Sequence, residues 1–237
     1  MKAFQLEIGG NWAHFKKPET NNNPLTHDFI TKTAFLGLIG AVLGKTRDEM
    51  RKLFPVLSED ILYGVQLLNP VKKVSWGFTL RKAVNIFEKA PKNMEFLKQP
   101  KYLVSVALLE NRSEKIFNTF LAAIINSESF YTPVLGIHNC PANLRYVADG
   151  EFSEAKQGKF NAKCFISREH KVVDIASAKH FRIGLDKIPT FQNNDFWNLP
   201  EKYKEVIYPS AGFTLNVEGE YYLFSGIAKE DEYWWLT

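Results

Sequence analysis

Lys2-Ala3-Phe4-Gln5-Leu6-Glu7-Ile8 alternates, with Phe4, Leu6 and Ile8 on one side and Ala3, Gln5 and Glu7 on the other. A period of two predicts a half-buried strand. Gly9-Gly10 ends it, and the stretch to Thr31, with Pro18 and Asn21-Asn22-Asn23-Pro24, reads as a long loop. Loops of that length in a compact domain are functional or disordered. Thr31 or Thr33 can cap a following helix through Ala34, Phe35, Leu36, Leu38, Ile39, Ala41, Val42 and Leu43, apolar on all sides and therefore buried. Gly37, Gly40 and Gly44 share one face of it. Because each glycine costs a helix interior roughly 1 kcal/mol, the bare face predicts close approach to another backbone, in the same sheet or a neighbouring chain.

Working outward, Ile61 to Leu68 and Tyr102 to Leu109 are apolar runs of strand length, suited to central strands. Asn111-Arg112-Ser113-Glu114 opens a second helix whose apolar positions Ile116, Phe117, Phe120, Leu121, Ile124 and Ile125 follow helical spacing, and Val134 to Ile137 suits a short fourth strand. Strand, helix, strand, insertion, strand, helix, strand is the order of an α+β, ferredoxin-like (RRM-like) βαββαβ domain, here over residues 1–140 with an inserted thumb at about 70–100. Beyond it, short alternating stretches (Leu144 to Val147, Lys163 to Ile166, Lys171 to Ile175, His180 to Leu185, Tyr221 to Ile227) predict a smaller β-rich part over 141–237.

Composition bounds the function. The 237 residues are 45% hydrophobic and 24% charged, which excludes intrinsic disorder, and the longest strongly apolar run, Ala34 to Gly44, is too short for the ~20 residues that cross a bilayer. An acidic Glu7 where a secretory signal would continue its apolar core predicts a cytoplasmic protein. Cys140 and Cys164 read as buried or idle thiols. The net charge of +4 is unevenly spread. Residues 71–101 hold eight Lys/Arg (Lys72, Lys73, Arg81, Lys82, Lys89, Lys92, Lys98, Lys101) against Glu88 and Glu95, a balance of +6. Residues 183–237 hold four Lys against nine Asp/Glu, a balance of −5. The first segment predicts a polyanion-binding arm; the acidic part is expected to face protein or solvent.

Gly40 to Thr46 fails as a phosphate-binding P-loop, because Ile39 stands where its first glycine belongs and the glycines sit in an apolar helix. The five histidines and two cysteines lack zinc-site spacing, and no G-x-S-x-G elbow is present, so neither a metal nor another cofactor is expected. Trp12-Ala13-His14-Phe15-Lys16-Lys17 interleaves aromatics with cations beside a strand, and the mixture recurs at Lys72-Lys73-Val74-Ser75-Trp76 and from Phe78 to Lys82. Base stacking plus phosphate neutralisation is what single-stranded RNA recognition uses, so Trp12, His14, Phe15, Lys16, Lys17, Lys72, Lys73, Trp76, Arg81 and Lys82 are the candidate RNA-binding residues. His14 and His27 are alternatively a general base and acid for metal-independent RNA cleavage, or exposed side chains that touch phosphate.

Gly10-Asn11-Trp12-Ala13-His14-Phe15-Lys16-Lys17-Pro18, then Pro24-Leu25-Thr26, then Thr33 to Gly44, together with Thr132-Pro133-Val134-Leu135-Gly136, resembles CRISPR-associated protein family five, of the RAMP superfamily and closest to the type I-B-like branch. The resemblance implies a ferredoxin-like domain with a basic thumb. It further implies a subunit of a type I surveillance complex (Cascade) that caps the 5′ handle of the CRISPR RNA. The implied partners are this crRNA, the backbone and large subunits and, indirectly, target DNA, in antiviral defence. One branch of the family cleaves precursor RNA with a tyrosine and an adjacent lysine-histidine pair. Here the sole Lys-His step in that order, Lys179-His180, lies in the carboxy-terminal part, and Lys115 has no histidine beside it, so a non-catalytic subunit is expected, with an endoribonuclease that processes CRISPR repeat RNA as the alternative.

Overall fold

The computed structural model describes residues 1–20, 22–81, 89–173, 181–194, 199–226 and 232–237. In chain order the elements are β1 (Lys2–Gly9), β2 (Trp12–Ala13), α1 (Lys32–Val42), α2 (Arg47–Asp60), β3 (Ile61–Leu67), β4 (Lys73–Arg81), β5 (Lys89–Lys98), β6 (Lys101–Leu108), α3 (Glu114–Ile125), β7 (Asn143–Phe152), β8 (Lys156–Ala162), β9 (Ile166–Ser167), β10 (Lys171–Val172), β11 (Ile183–Phe191), β12 (Lys202–Pro209), β13 (Leu215–Gly226) and β14 (Glu232–Trp234). Antiparallel sheets and three α-helices among the described residues make a mixed α and β architecture. The main sheet runs β10-β13-β7-β1-β6-β3, with β8 and β14 also paired to β13. A second sheet is β11-β12-β9, and a third is β2-β5-β4.

The central strand β1 pairs with β6 (Phe4 opposite Val106) and with β7 (Leu6 opposite Tyr146). Its Phe4 ring meets Phe117 of α3 edge-on at 5.0 Å, and Phe35 of α1 stacks at 6.2 Å on Tyr63 of β3, so both helices cover one sheet face. The opposite face is less open than alternation predicts. Ala3 and Gln5 are buried as well, and the Gln5 amide donates to Ser105 Oγ (3.1 Å) and to Glu232 Oε2 (2.8 Å) at the start of β14. The chain's last residue pairs both ways with Tyr63 at 3.0 Å, closing the edge of β3.

Several expectations change. The fourth strand beside β1 is β7, not Val134 to Ile137, which makes only a single bridge from Val134 to Pro141. Thr31, rather than Thr33, caps α1, accepting from the Ala34 N–H. The glycine face of that helix meets side chains instead of a backbone: a Cβ on Gly40 would lie 2.5 Å from Met50 Sδ of α2. Helix α2, for which nothing was expected, begins with a reciprocal Thr46–Glu49 capping box. The thumb segment forms a hairpin, β4 with β5. Lys82 and the Lys179-His180 pair lie outside the described residues, as do parts of the stretches expected at 171–175, 180–185 and 221–227.

Gly64 of β3 sits under the carboxy-terminal segment, where a Cβ would come within 2.8 Å of the Trp235 carbonyl oxygen and 3.0 Å of the Trp234 ring. Backbone cannot retreat as a flexible side chain can, so Gly64→Ala is expected to cost about 1–3 kcal/mol, read as a lowered melting temperature. Unchanged melting would mean that the last residues are not seated on β3.

Candidate nucleic-acid interface

The third sheet joins what the sequence separates by some sixty residues. Trp12 of β2 lies opposite Lys98 of β5, while Trp76 of β4 lies opposite Met94. This register brings the Trp12 and Trp76 rings to 4.4 Å at 62°, and Trp76 also meets Phe96 at 4.9 Å. Phe78 completes the group, 6.3 Å from Trp76 and 6.0 Å from Phe96. Phe96 is buried beneath, whereas Trp76 is 37% exposed, which leaves an indole surface at the base of a basic hairpin. Lys72, exposed just before β4, has no carboxylate partner among the described residues. Arg81 ends β4. Phe96 was missed from sequence, although its alternation with Met94 on a strand would have placed it on the same face as Trp76.

Other candidate residues are taken up by the fold. Phe15 is a core residue whose polar contacts are made by its backbone: its N–H donates to Thr26 Oγ1 at 2.9 Å and its carbonyl accepts from the His27 N–H at 2.8 Å. Lys73 Nζ lies 2.6 Å from Asp28 and 3.3 Å from Glu95, and donates to the Thr26 carbonyl at 3.0 Å. Burial pulls the Lys73 ammonium down, but the two carboxylates outweigh it and hold its pKa above the usual lysine range. His14 is 2% exposed with Nδ1 2.7 Å from the Glu95 carbonyl, and burial pushes its pKa below the ordinary imidazole value. Neither His14 nor His27 is the exposed side chain that phosphate contact requires.

The long loop after β1 is neither loose nor open. Asp186 of β11, buried to its carboxylate, receives Lys17 Nζ at 2.8 Å, His27 Nδ1 at 3.1 Å and the Asp28 backbone N–H at 3.0 Å. Desolvation alone would raise its pKa; the His27 and Lys17 contacts and the Asp28 N–H reverse that and hold it well below the carboxylate range. Asp28 in turn accepts from the Tyr208 hydroxyl of β12 and faces Lys73. Lys17 therefore serves an internal ion pair, and this acidic residue of the carboxy-terminal part faces inward.

Beside this anchor opens a cleft of about 670 Å³ between Lys16, Thr31 and Thr33 at the start of α1, Gly136, and Gln192 and Pro200 beyond β11. Lys16 is exposed on its rim. Gly136 has φ +91°, and a Cβ there would lie 1.9 Å from the His14 carbonyl oxygen, so the Leu135-Gly136 stretch closes on the β1 loop only as glycine. Among the described residues no cluster of three His, Cys, Asp or Glu side chains could hold a metal ion. No helix of the described chain is long and apolar enough to cross a membrane.

A family profile described as "CRISPR-associated protein (Cas_Cas5)" matches residues 4–195. Among solved structures, a crystal structure of a CRISPR protein from Archaeoglobus fulgidus is similar over 98% of both chains, with TM-score 0.58 and 11% identity. A chain of a CRISPR RNA-guided surveillance complex is similar over 91% of both, with TM-score 0.55 and 11% identity. At these identities the likeness is one of fold. No curated protein matches the sequence.

The depressed Asp186 carboxyl has a defined pH signature. A folded-state pKa below the unfolded value of ~4 stabilises above that value, and the contribution is lost as pH falls through the folded-state pKa. Urea unfolding across acid pH is expected to show this loss. Asp186→Asn should remove it and lower stability near neutrality by about 3 kcal/mol, since it leaves Lys17 and His27 without their anion. An unchanged acid profile in the variant would contradict the assignment.

Proposed function

The chain belongs to the Cas5 family of CRISPR-associated proteins, and from that premise we propose that it is a crRNA-binding subunit of a type I surveillance complex that caps the 5′ handle. The observation that carries this reading is the Trp12–Trp76 pair, which unites the aromatic turn after β1 with the basic hairpin in one surface. An exposed indole offers a base a stacking partner worth about 1–3 kcal/mol, and cations beside it neutralise the backbone without reading sequence. The strand order β7-β1-β6-β3, with α1 and α3 on one face, supports the ferredoxin-like arrangement as the scaffold. The likeness to a chain of an RNA-guided surveillance complex supports a place beside backbone and large subunits, with target DNA met indirectly, in antiviral defence in the cytoplasm.

Binding without cleavage is the preferred form. His14 and His27 are buried and each is held at Nδ1, one by a carbonyl and one by a carboxylate, which suits structural imidazoles better than a surface acid-base pair. Repeat RNA incubated with the full chain in EDTA is expected to stay intact; cleavage abolished by His14→Ala or His27→Ala would favour the endoribonuclease instead.

Affinity for an RNA bearing the repeat-derived 5′ handle tests the site. Trp76→Ala is expected to weaken binding by about 1–3 kcal/mol, and joint replacement of Lys72, Arg81 and Lys82 by Ala to weaken it in a salt-dependent way. Lys73 belongs outside that set because it holds Asp28 and Glu95. Unaltered affinity and salt slope in both variants would remove the thumb from the interface.

A further inference from the structure

A second cavity, of about 560 Å³, opens where the hairpin leaves the main sheet, between the end of β3, the residues before β4 and the adjoining ends of β11 and β12. Its size lies in the ~300–1,000 Å³ range of small-ligand sites. Asp28 and Tyr208 line it and present acceptors. One Asp28 oxygen takes Lys73 Nζ at 2.6 Å and the other takes the Tyr208 hydroxyl. A carboxylate offers about four lone-pair sites, so Asp28 keeps acceptor capacity for a further donor. Burial and the Asp28 charge raise the Tyr208 pKa, so its hydroxyl keeps its proton on Asp28 and its oxygen can accept as well. Lys73 has no donor left for a ligand, since its three go to Asp28, Glu95 and the Thr26 carbonyl. A Cβ on Gly184 would overlap the Tyr208 ring, so glycine is what lets that ring lie against β11. Pro70, Val71 and Ile183 supply apolar walls, and Arg182 is exposed at the rim. The Arg182 carbonyl is held by the Ser210 N–H (3.1 Å) and hydroxyl (2.9 Å), whereas its guanidinium has no hydrogen bond or carboxylate partner among the described residues.

We propose that this cavity binds one unstacked nucleotide whose base carries an exocyclic amine, with the amine on Asp28 and Tyr208, the base against the apolar walls and the phosphate on Arg182. An acceptor-only wall asks for a donor, apolar flanks ask for a flat apolar face, and an unpaired guanidinium asks for an anion. An amine-bearing nucleotide meets all three demands at once. Adenine, cytosine and guanine qualify, whereas uracil turns carbonyl oxygens toward the same carboxylate. The chemistry is shared by a free nucleotide and by a nucleotide splayed out of bound RNA, and only the second source rests on the functional reading above. Pro70 and Val71 directly precede Lys72, so the cavity adjoins the foot of the basic hairpin.

The test titrates the full chain, freed of nucleic acid, with AMP, CMP, GMP and UMP by calorimetry. The first three are expected to bind, and UMP to bind at least about fivefold more weakly. Arg182→Ala should weaken AMP about tenfold, and Ile183→Trp, which fills the cavity, should abolish its binding. Both positions are exposed, so both variants should melt as the wild type does; Arg182→Ala alone decides the matter if the tryptophan variant fails to fold. No binding of any mononucleotide by the wild type, equal binding of UMP, or equal binding by wild type and variants overturns the site. A second arm uses RNA carrying the 5′ handle with one abasic position at a time. If RNA supplies the nucleotide, one abasic position weakens binding to the wild type and has no further effect on Ile183→Trp. Mononucleotide binding without such a position upholds the site and assigns it to a free nucleotide. Mononucleotide binding with no RNA binding at all upholds the site and overturns the RNA reading instead.

Discussion

The carboxylate of Asp186 holds together parts of the chain that are far apart in sequence, among them the segments that carry the proposed nucleic-acid surface. By gathering Lys17, the His27 imidazole and the Asp28 N–H, it ties the segment after β1 to β11. Asp28, fixed in this way, receives Tyr208 and Lys73 and so sets the foot of the basic hairpin. Once that foot is set, β2 can pair with β5 and Trp12 can reach Trp76. A buried ion cluster is costly in desolvation, and it is retained here where it specifies how three separate segments meet.

This arrangement divides the lysines of the chain into two kinds. Lys17 and Lys73 are spent on internal carboxylates. Lys72, Lys202, Lys204 and, most unusually, the buried Lys32 have no such partner among the described residues. Net charge per segment therefore misstates which cations lack a carboxylate: the +6 of residues 71–101 includes Lys73 and Lys101, both already paired, while the −5 of residues 183–237 includes Lys202 and Lys204, which have no carboxylate partner among the described residues.

Local periodicity made β1, α1, β3, β6 and α3 legible in the sequence, since each element's own pattern reports the face it buries. Residues 71–101 stand out in the sequence as a basic insertion, and β4 pairs with β5 within it. What stayed hidden depends on contacts between distant residues. Asp186 lies 159 positions from His27, and nothing in its neighbourhood distinguishes it from a solvated acid. The burial of Phe15, His14 and Gln5 depends on the Leu135-Gly136 loop, on Glu95 and on β14, none of which adjoins them in sequence. Val134 to Ile137 misled because β-branched and apolar residues suit a tight loop over a buried leucine as well as a strand, and the sheet's next strand begins only at Asn143.

The central claim is that this chain holds RNA by its 5′ end within an assembly. The most direct measurement is purification of the tagged protein from its own host, with the associated RNA sequenced and the associated proteins identified by mass spectrometry. The account predicts discrete RNAs sharing one 5′ end, together with larger protein partners. A chain that purifies alone and free of nucleic acid would contradict it.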